Sequence, residues 1–464
     1  MTIINNNNYD VCIIGGGING AGIAAKLSNH HFKTFLCERN DFGGATSSNT
    51  TKLIHGGLRY LEQYNFKLVR AALKERSILQ SMAPHIIWPM EFIFINNSKI
   101  RNRFILRVGL FLYDLLSIRF AGRRYHKTRK INLDDNSLFR TGYVYTDLWV
   151  DDARLVIENI LETSLNGGSV NKNTEFVSAN YLNEEKVWSI NLINHKINHH
   201  YTIYAKTIIN TSGPWVNDVL GKIKLNDKNL QAQHNIRLVK GSHIIVEKLY
   251  NSKESYVLQN QDGRIIFVIP YEDHFTLIGT TESEYAHTQL LNKPVIDQSE
   301  SNYLLESYNS YFKKKLSTKD VKFSFSGIRP LLYDPRTKAS DNTRDYKIDL
   351  YSDAPNGSLI NIYGGKMTTY RLLAQEIFAL IKTNFPGESS DYDSVKLPGG
   401  KIISNNNQDS SQKLGYYKAD QIYYRDKLHI SFPWLSKSLC SRYTRTYGSR
   451  TYEFLQNAKN LVLD

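Results

Sequence analysis

The sequence predicts an α/β protein: a doubly wound domain, a β-rich second domain and a helical end. Three features carry that expectation. A strand, a glycine cluster, a helix and a second strand follow one another over residues 10–38, and the same strand, diglycine, helix order returns over 359–381. Between them, 174–209 and 236–281 hold short runs of alternating apolar residues, the period of half-buried strands. A length of 464 residues calls for two or three domains, because a single core stops growing near roughly 250–300 residues.

Taken in order, Asp10-Val-Cys-Ile-Ile14 is a nearly continuous apolar run that ends at glycine, the pattern of a buried parallel strand. Ile18, Ala21, Ile23, Ala24 and Leu27 then give a helix packed on a sheet, and Lys33–Glu38 the next strand. Helical spacing over 64–83 (Phe66, Val69, Leu73, Ile78, Leu79, Met82) stops before Pro84. From 100 to 124, Phe104, Ile105, Leu106, Val108, Leu110, Phe111, Leu112, Leu115 and Leu116 crowd a stretch rimmed by arginines at 101, 103, 107, 119, 123 and 124. Arg107 and Asp114 interrupt it, so it lacks the long uncharged run of a membrane span. Two readings remain, an interfacial element on an anionic leaflet and a core helix with snorkelling arginines. Later elements are a helix over 298–316, a strand over Val321–Ser326, a strand at Leu359–Tyr363 and a helix over 372–381. A Gly, Ser, Asn and Asp-rich linker covers 386–415, and a basic, Tyr-rich helical stretch covers 416–464.

Composition narrows the function classes. The 58 Lys and Arg against 44 Asp and Glu leave a net charge of +14, which attracts small anions, lipid headgroups or nucleic acid. No basic block or nucleic-acid motif accompanies the charge, so nucleic acid is not an expected partner. Cys12, Cys37 and Cys440 are too few and too scattered for a disulfide framework or a metal knuckle, and a reducing, cytosolic setting fits. Met1–Tyr9 is polar and lacks the profile of a secretory signal.

Gly15-Gly-Gly17-Ile-Asn-Gly20 fits G-x-G-x-x-G between a strand and a helix, the context that motif requires. Gly15 permits the turn, Gly17 lets backbone approach a pyrophosphate, Gly20 allows helix–strand contact, and the helix start supplies N–H groups. Glu38 stands where a carboxylate takes ribose hydroxyls, which argues against a 2′-phosphate but leaves NAD and FAD unseparated.

The segment Ala45-Thr-Ser-Ser-Asn-Thr-Thr-Lys-Leu-Ile-His-Gly-Gly-Leu-Arg-Tyr-Leu61 resembles the signature of the FAD-dependent, quinone-linked glycerol-3-phosphate dehydrogenases, within the D-amino-acid-oxidase-like flavoproteins. Trp149-Val-Asp-Asp-Ala-Arg-Leu155, Lys240-Gly-Ser-His243, Ser326-Gly-Ile-Arg-Pro330, Thr343-Arg-Asp-Tyr346 and Gly364-Gly-Lys-Met-Thr-Thr-Tyr370 resemble the same family, in its order, from residue 9 to Arg445-Thr-Tyr-Gly448. Asn210-Thr-Ser-Gly-Pro-Trp215 departs mildly from the family's Asn-Ala-Thr-Gly-Pro-Trp, and the family continues for several tens of residues beyond residue 464.

The resemblance implies a discontinuous FAD-binding domain (1–90, 145–225, 325–385) and an antiparallel-sheet domain facing substrate and membrane (91–144, 226–324). It also implies a C-terminal cap (390–464) shorter than usual. FAD contacts are expected from Gly15, Gly17, Gly20, Glu38, Thr46, Ser47, Ser48, Lys52, Gly57, Leu58, Gly213 and Gly365, with no metal. The implied reaction oxidises sn-glycerol 3-phosphate to dihydroxyacetone phosphate by hydride transfer to flavin N5. Electrons then pass to a membrane quinone, in a homodimer peripheral on the inner face of the cell membrane. The alternatives are an oxygen-using oxidase on the same scaffold and a flavin-binding remnant without turnover.

Arg59, Tyr60, Arg329, Arg344, Lys366 and Thr368 surround the substrate by the same resemblance. Arginine suits a phosphate dianion because its planar fork makes two parallel charge-assisted hydrogen bonds. Histidine has the intrinsic pKa of a proton acceptor, so His243 or His55 is favoured over Arg329. Arg329 and Lys366 read as electrostatic stabilisers of the developing alkoxide and of reduced flavin. His55 has an equal second reading, as a hydrogen bond that holds its own loop. Cys12 and Cys37 read as inert core thiols.

Overall fold

Val11, Cys12, Ile13 and Ile14 are all buried in the strand Asn8–Ile14, as an unbroken apolar run requires of a strand covered on both faces. The computed structural model describes residues 7–57, 66–97, 100, 103–121, 128–226, 228–290, 292–333, 345–351, 358–382, 396–401, 413–456 and 458. Among them are two sheets of ten strands each.

The first sheet has a parallel centre. Asn8–Ile14 lies between Thr34–Cys37 and His199–Asn210, and Ser169–Asn171 and Ser358–Gly364 extend it in the same sense. His199–Asn210 forks: its first half pairs antiparallel with Val187–Asn194, its last four residues pair parallel with Ser358–Gly364. The polar opening residues His199 and His200 are exposed, whereas Thr207–Asn210 are buried, so the strand runs from a solvated tip into the core. Helices Ile18–Ser28, Asp152–Leu165 and Tyr370–Ile381 cover one face through Ile23, Leu27, Leu155, Ile160, Leu373 and Ile377. Trp188, Ile190 and Leu192 pack against the other.

The second sheet is antiparallel apart from the pairing of Ile87–Ile95 with Ser255–Gln259. Its longest pairing joins Ile236–Glu247 to Val321–Leu332. Strand alternation sends Ile244 and Val246 toward the helix Gln298–Asn309, and Ile245 toward the helices Phe66–Met82 and Arg103–Ala121.

Two element boundaries differ from the sequence reading. The helix expected over 298–316 ends at Asn309, whose side-chain amide accepts the Leu316 N–H and donates to the Leu316 C=O, both at 2.8 Å, and closes a loop. Tyr311, Phe312 and Leu316 stay buried, so their apolar spacing reflects a packed loop. The strand expected over Val321–Ser326 runs to Leu332. Pro330 within it is tolerated because, among the described residues, this strand pairs only with Ile236–Glu247 and lies on an edge. The strands Thr141–Val150 and Val321–Leu332 both belong to the second sheet, so the expected domain limits at 145 and 325 fall inside strands of that sheet.

The helices Lys413–Ser431, Lys437–Tyr447 and Thr451–Leu455 bury Leu428, Leu435, Cys440 and Leu455 among themselves. Arg154 Nε donates to the Thr446 carbonyl at 3.1 Å and ties this cap to the body.

A buried ion pair locks the helix after the diglycine to the helix Phe66–Met82: Arg371 Nε and Nη2 reach the two oxygens of Glu75 at 2.8 and 2.6 Å. Removing one partner of such a pair costs about 3–5 kcal/mol, because the other charge stays desolvated. Glu75→Ala should lower the urea midpoint accordingly, and Glu75→Leu with Arg371→Met should recover most of the loss.

Candidate active site

The glycine loop is held by contacts that leave no room for a side chain. A Cβ on Gly20 would sit 2.0 Å from the Gly15 carbonyl oxygen, and Gly15 itself adopts φ +106°. The Thr211 hydroxyl donates to the carbonyls of Ile14 and Gly15 at 2.9 and 3.0 Å, so the departure at 211 adds a clasp beneath the turn. Gly17 caps the helix without a side-chain acceptor. The next amide, of Ile18, donates to Ser47 Oγ at 3.0 Å.

Glu38 accepts the Gly16 amide on one oxygen at 2.8 Å and the Asn40 amide on the other at 2.9 Å. Each oxygen keeps a lone pair for a ribose hydroxyl. The Arg39 guanidinium covers the Trp215 ring at 4.0 Å, beside Gly213 in the turn that ends the forked strand. Asn19, which the sequence reading passed over, donates to the Gly364 carbonyl at 3.1 Å and brings the diglycine against the first glycine loop. Gly365 follows with φ +104°, and the Lys366 carbonyl accepts the Thr369 amide at 3.1 Å, so Lys366 and buried Thr368 lie in one tight turn. Two glycine turns, a helix start and an acid at the strand end fit a dinucleotide.

The segment around Thr46 to Gly57 joins this loop to the second sheet. Thr46 donates to the Ile328 carbonyl at 2.6 Å, and Ser48 sits in the same 3₁₀ turn as Thr46 and Ser47. Lys52, left-handed at φ +61°, places its ammonium 2.6 Å from the buried carboxylate of Asp152. The Gly56 amide donates to the Tyr113 phenol at 2.8 Å, and that phenol donates to Asp147 at 2.6 Å. Half-buried His55 and buried Gly57 flank this contact. Leu58, Arg59, Tyr60 and Arg344 lie outside the described residues.

Register puts Phe325, Gly327 and Arg329 opposite His243, Gly241 and Val239, so Arg329 and His243 share one face of the second sheet. The Arg329 guanidinium lies flat on Gly241, where a Cβ would come within 2.6 Å of Nη2. Nη2 donates to the Thr280 hydroxyl at 3.2 Å, and Nη1 stands 3.8 Å from Glu282. His243 has no exposed surface. Its ring stacks on Phe325 at 4.7 Å, and its Nε2 lies 3.0 Å from the Thr51 hydroxyl. Burial, then the cations of Arg329 and Lys52, hold its pKa well below the usual 6.5, so the imidazole is neutral at neutral pH.

The profile of the FAD dependent oxidoreductase (DAO) family matches residues 10–357. The chain is 39% identical over 460 residues to the D-erythritol 1-phosphate dehydrogenase of Brucella abortus, covering 97% of this chain and 86% of that protein. It is 39% identical over 456 residues to the aerobic glycerol-3-phosphate dehydrogenase of Escherichia coli, covering 97% and 85%. The glycerol-3-phosphate dehydrogenase of Pseudomonas aeruginosa is 38% identical over 453 residues, covering 96% and 83%. In fold, the glycerol-3-phosphate dehydrogenase of Bacillus halodurans complexed with FAD superposes with a TM-score of 0.70 at 24% identity, over 97% of this chain and 78% of that one.

The depressed His243 pKa has a consequence for stability. The unfolded chain binds this proton more readily than the folded one, so the contribution is complete above about pH 6.5 and is lost as pH falls toward the folded value. Between pH 7.5 and 5.5 the wild type should lose more stability than His243→Gln, as read from urea midpoints. The cofactor is FAD, and the chain belongs to the FAD-dependent oxidoreductase family, in the branch that holds the glycerol-3-phosphate dehydrogenases.

Proposed function

We propose that the chain oxidises sn-glycerol 3-phosphate to dihydroxyacetone phosphate and passes the electrons to a membrane quinone. The observation that carries the substrate is 38–39% identity, along nearly the whole chain, to two enzymes named glycerol-3-phosphate dehydrogenases. Bound FAD supplies the hydride acceptor. The protein must hold a phosphate dianion, turn the C2–H toward the flavin and take the hydroxyl proton. Arg329, fixed by Gly241 and Thr280, is the described candidate for the phosphate grip, and Arg59, Tyr60, Arg344 and Thr368 are proposed beside it. Lys366 stabilises the developing alkoxide from the diglycine turn. Neutral His243 accepts the proton through the Thr51 hydroxyl, the polar atom at its Nε2, and His55 is the alternative acceptor.

A second substrate has a specific observation behind it. The Brucella abortus relative, at the same 39% identity, is named for D-erythritol 1-phosphate. Both compounds place a secondary alcohol beside the phosphate-bearing carbon, so a phosphate grip alone does not choose between them.

Membrane docking rests on the helix Arg103–Ala121. Phe104, Phe111 and Leu115 are 72%, 63% and 55% exposed, with Ile105 and Val108 beside them, and exposed Arg107 adds positive charge. Their spacing places them on the side away from buried Leu106, Leu110 and Tyr113. Among the described residues no helix is long and apolar enough to cross a membrane. An apolar stripe on a protein of net charge +14 matches an anionic bilayer surface on the inner face of the cell membrane. A homodimer is proposed on the family resemblance alone.

Anaerobic addition of sn-glycerol 3-phosphate should bleach the flavin band, and a quinone should restore it. A flavin that stays oxidised supports a remnant, peroxide formed in step with substrate supports an oxidase, and a higher kcat/KM for D-erythritol 1-phosphate moves the substrate. Phe111→Asp should weaken sedimentation with phosphatidylglycerol vesicles at least tenfold, because burying a Phe contributes about 1.5–3 kcal/mol.

A further inference from the structure

The motif Lys240-Gly-Ser-His243 divides between two faces of its strand. Gly241 and His243 face the site, where they meet Arg329 and Thr51. Lys240 and Ser242 face the opposite way and meet Glu300, a carboxylate only 5% exposed at the start of the helix Gln298–Asn309. One oxygen of Glu300 takes the Lys240 ammonium at 2.9 Å and the Ser242 hydroxyl at 3.1 Å, and the other takes the hydroxyls of Thr281 and Ser283 at 2.7 and 2.8 Å. The Ser242 amide also donates to Thr281 Oγ1 at 2.9 Å, and Ser326 of the neighbouring strand adds its hydroxyl 2.8 Å from that of Ser242.

The segment 280–283 alternates in the same way. Thr281 and Ser283 turn back to Glu300, whereas Thr280 and Glu282 turn forward to Arg329, at 3.2 and 3.8 Å. One buried carboxylate therefore fixes, from behind, the side chains next to three residues that seat the Arg329 guanidinium: Gly241, Thr280 and Glu282.

We infer that Glu300 is a positioning residue for Arg329, setting the grip on the substrate phosphate without touching substrate or cofactor. The inference rests on the role proposed for Arg329. It gives a function to Lys240 and Ser242, which lie outside the site although their neighbours form it. Glu300 also accepts the Asp297 amide at 3.2 Å and so caps its own helix, a structural role that would move stability rather than KM.

The test uses the FAD-loaded enzyme with a soluble quinone analogue. In Glu300→Gln the amide oxygen can still accept Thr281 and Ser283, but the amide nitrogen faces the Lys240 ammonium, donor against cation, and the segment shifts. KM for sn-glycerol 3-phosphate should rise on the order of tenfold while kcat stays within about twofold, the signature of lost ground-state binding. Adding Lys240→Met removes the opposed cation and should return KM to within about threefold of the wild type. An FAD-loaded Glu300→Gln enzyme with unchanged KM, or with reduced kcat at unchanged KM, overturns the inference, as does failure of the double variant to recover KM at full FAD content. If Glu300→Gln does not fold, Ser283→Ala decides: a raised KM at native melting temperature supports the inference, and an unchanged one overturns it. Wild-type turnover measured alongside tests the proposed substrate separately, so failure there is distinguishable from failure of the variants.

Discussion

With no exposed surface and the start of a helix beside it, the carboxylate of Asp152 collects the Lys52 ammonium together with both the amide and the hydroxyl of Thr50. This holds Lys52 in the left-handed region, a conformation that costs a side-chain-bearing residue roughly 1–2 kcal/mol. The turn presents Thr51 to His243 and sends Leu53–Ile54 into the second sheet against Leu148 and Trp149. The neighbouring residues Thr46 and Ser47 bind the edge strand and the glycine-loop helix. This short segment thus ties the glycine-loop helix to the second sheet, its shape fixed by a buried ion pair, and it helps to set the cofactor loop against the face that carries Arg329 and His243.

The cofactor half was legible because it is made of omissions. Close approach of backbone demands missing side chains at Gly15 and Gly20, and a strand, a glycine cluster, a helix and a second strand in succession leave their own signature in the sequence. The half that carries Arg329 and His243 was less so. Motifs named both residues, and the fold brings them to one face, but nothing local reveals that His243 lies beneath Phe325 without exposed surface, or that Thr51, 192 positions earlier in the chain, is its partner. Asp152 and Glu300 escaped for the same reason: each acts on residues brought to it by the fold. The overrun at 310–316 came from buried aromatics whose spacing mimics a helix while Asn309 ends it.

Charge is distributed with some economy. Lys52, Lys240 and Arg371 are each matched to a buried carboxylate, so their positive charge is spent on geometry. Around Arg329 stand the Thr280 hydroxyl at 3.2 Å and, at a longer 3.8 Å, the carboxylate of Glu282. Burial, with the cations of Arg329 and Lys52 second to it, keeps His243 neutral, which suits a group proposed to receive a proton more than one proposed to grip an anion.

The forked strand His199–Asn210 serves two layers at once. Its last four residues belong to the parallel core and lead directly into the turn that carries Thr211 and Gly213, while its first half pairs with Val187–Asn194, whose Trp188, Ile190 and Leu192 bury the face of the sheet opposite the helices. The hairpin is therefore a lid on the core as much as an arm of the sheet. Damage to it would uncover the back of the very strand that feeds the cofactor turn, so a lesion distant from the site would still reach it.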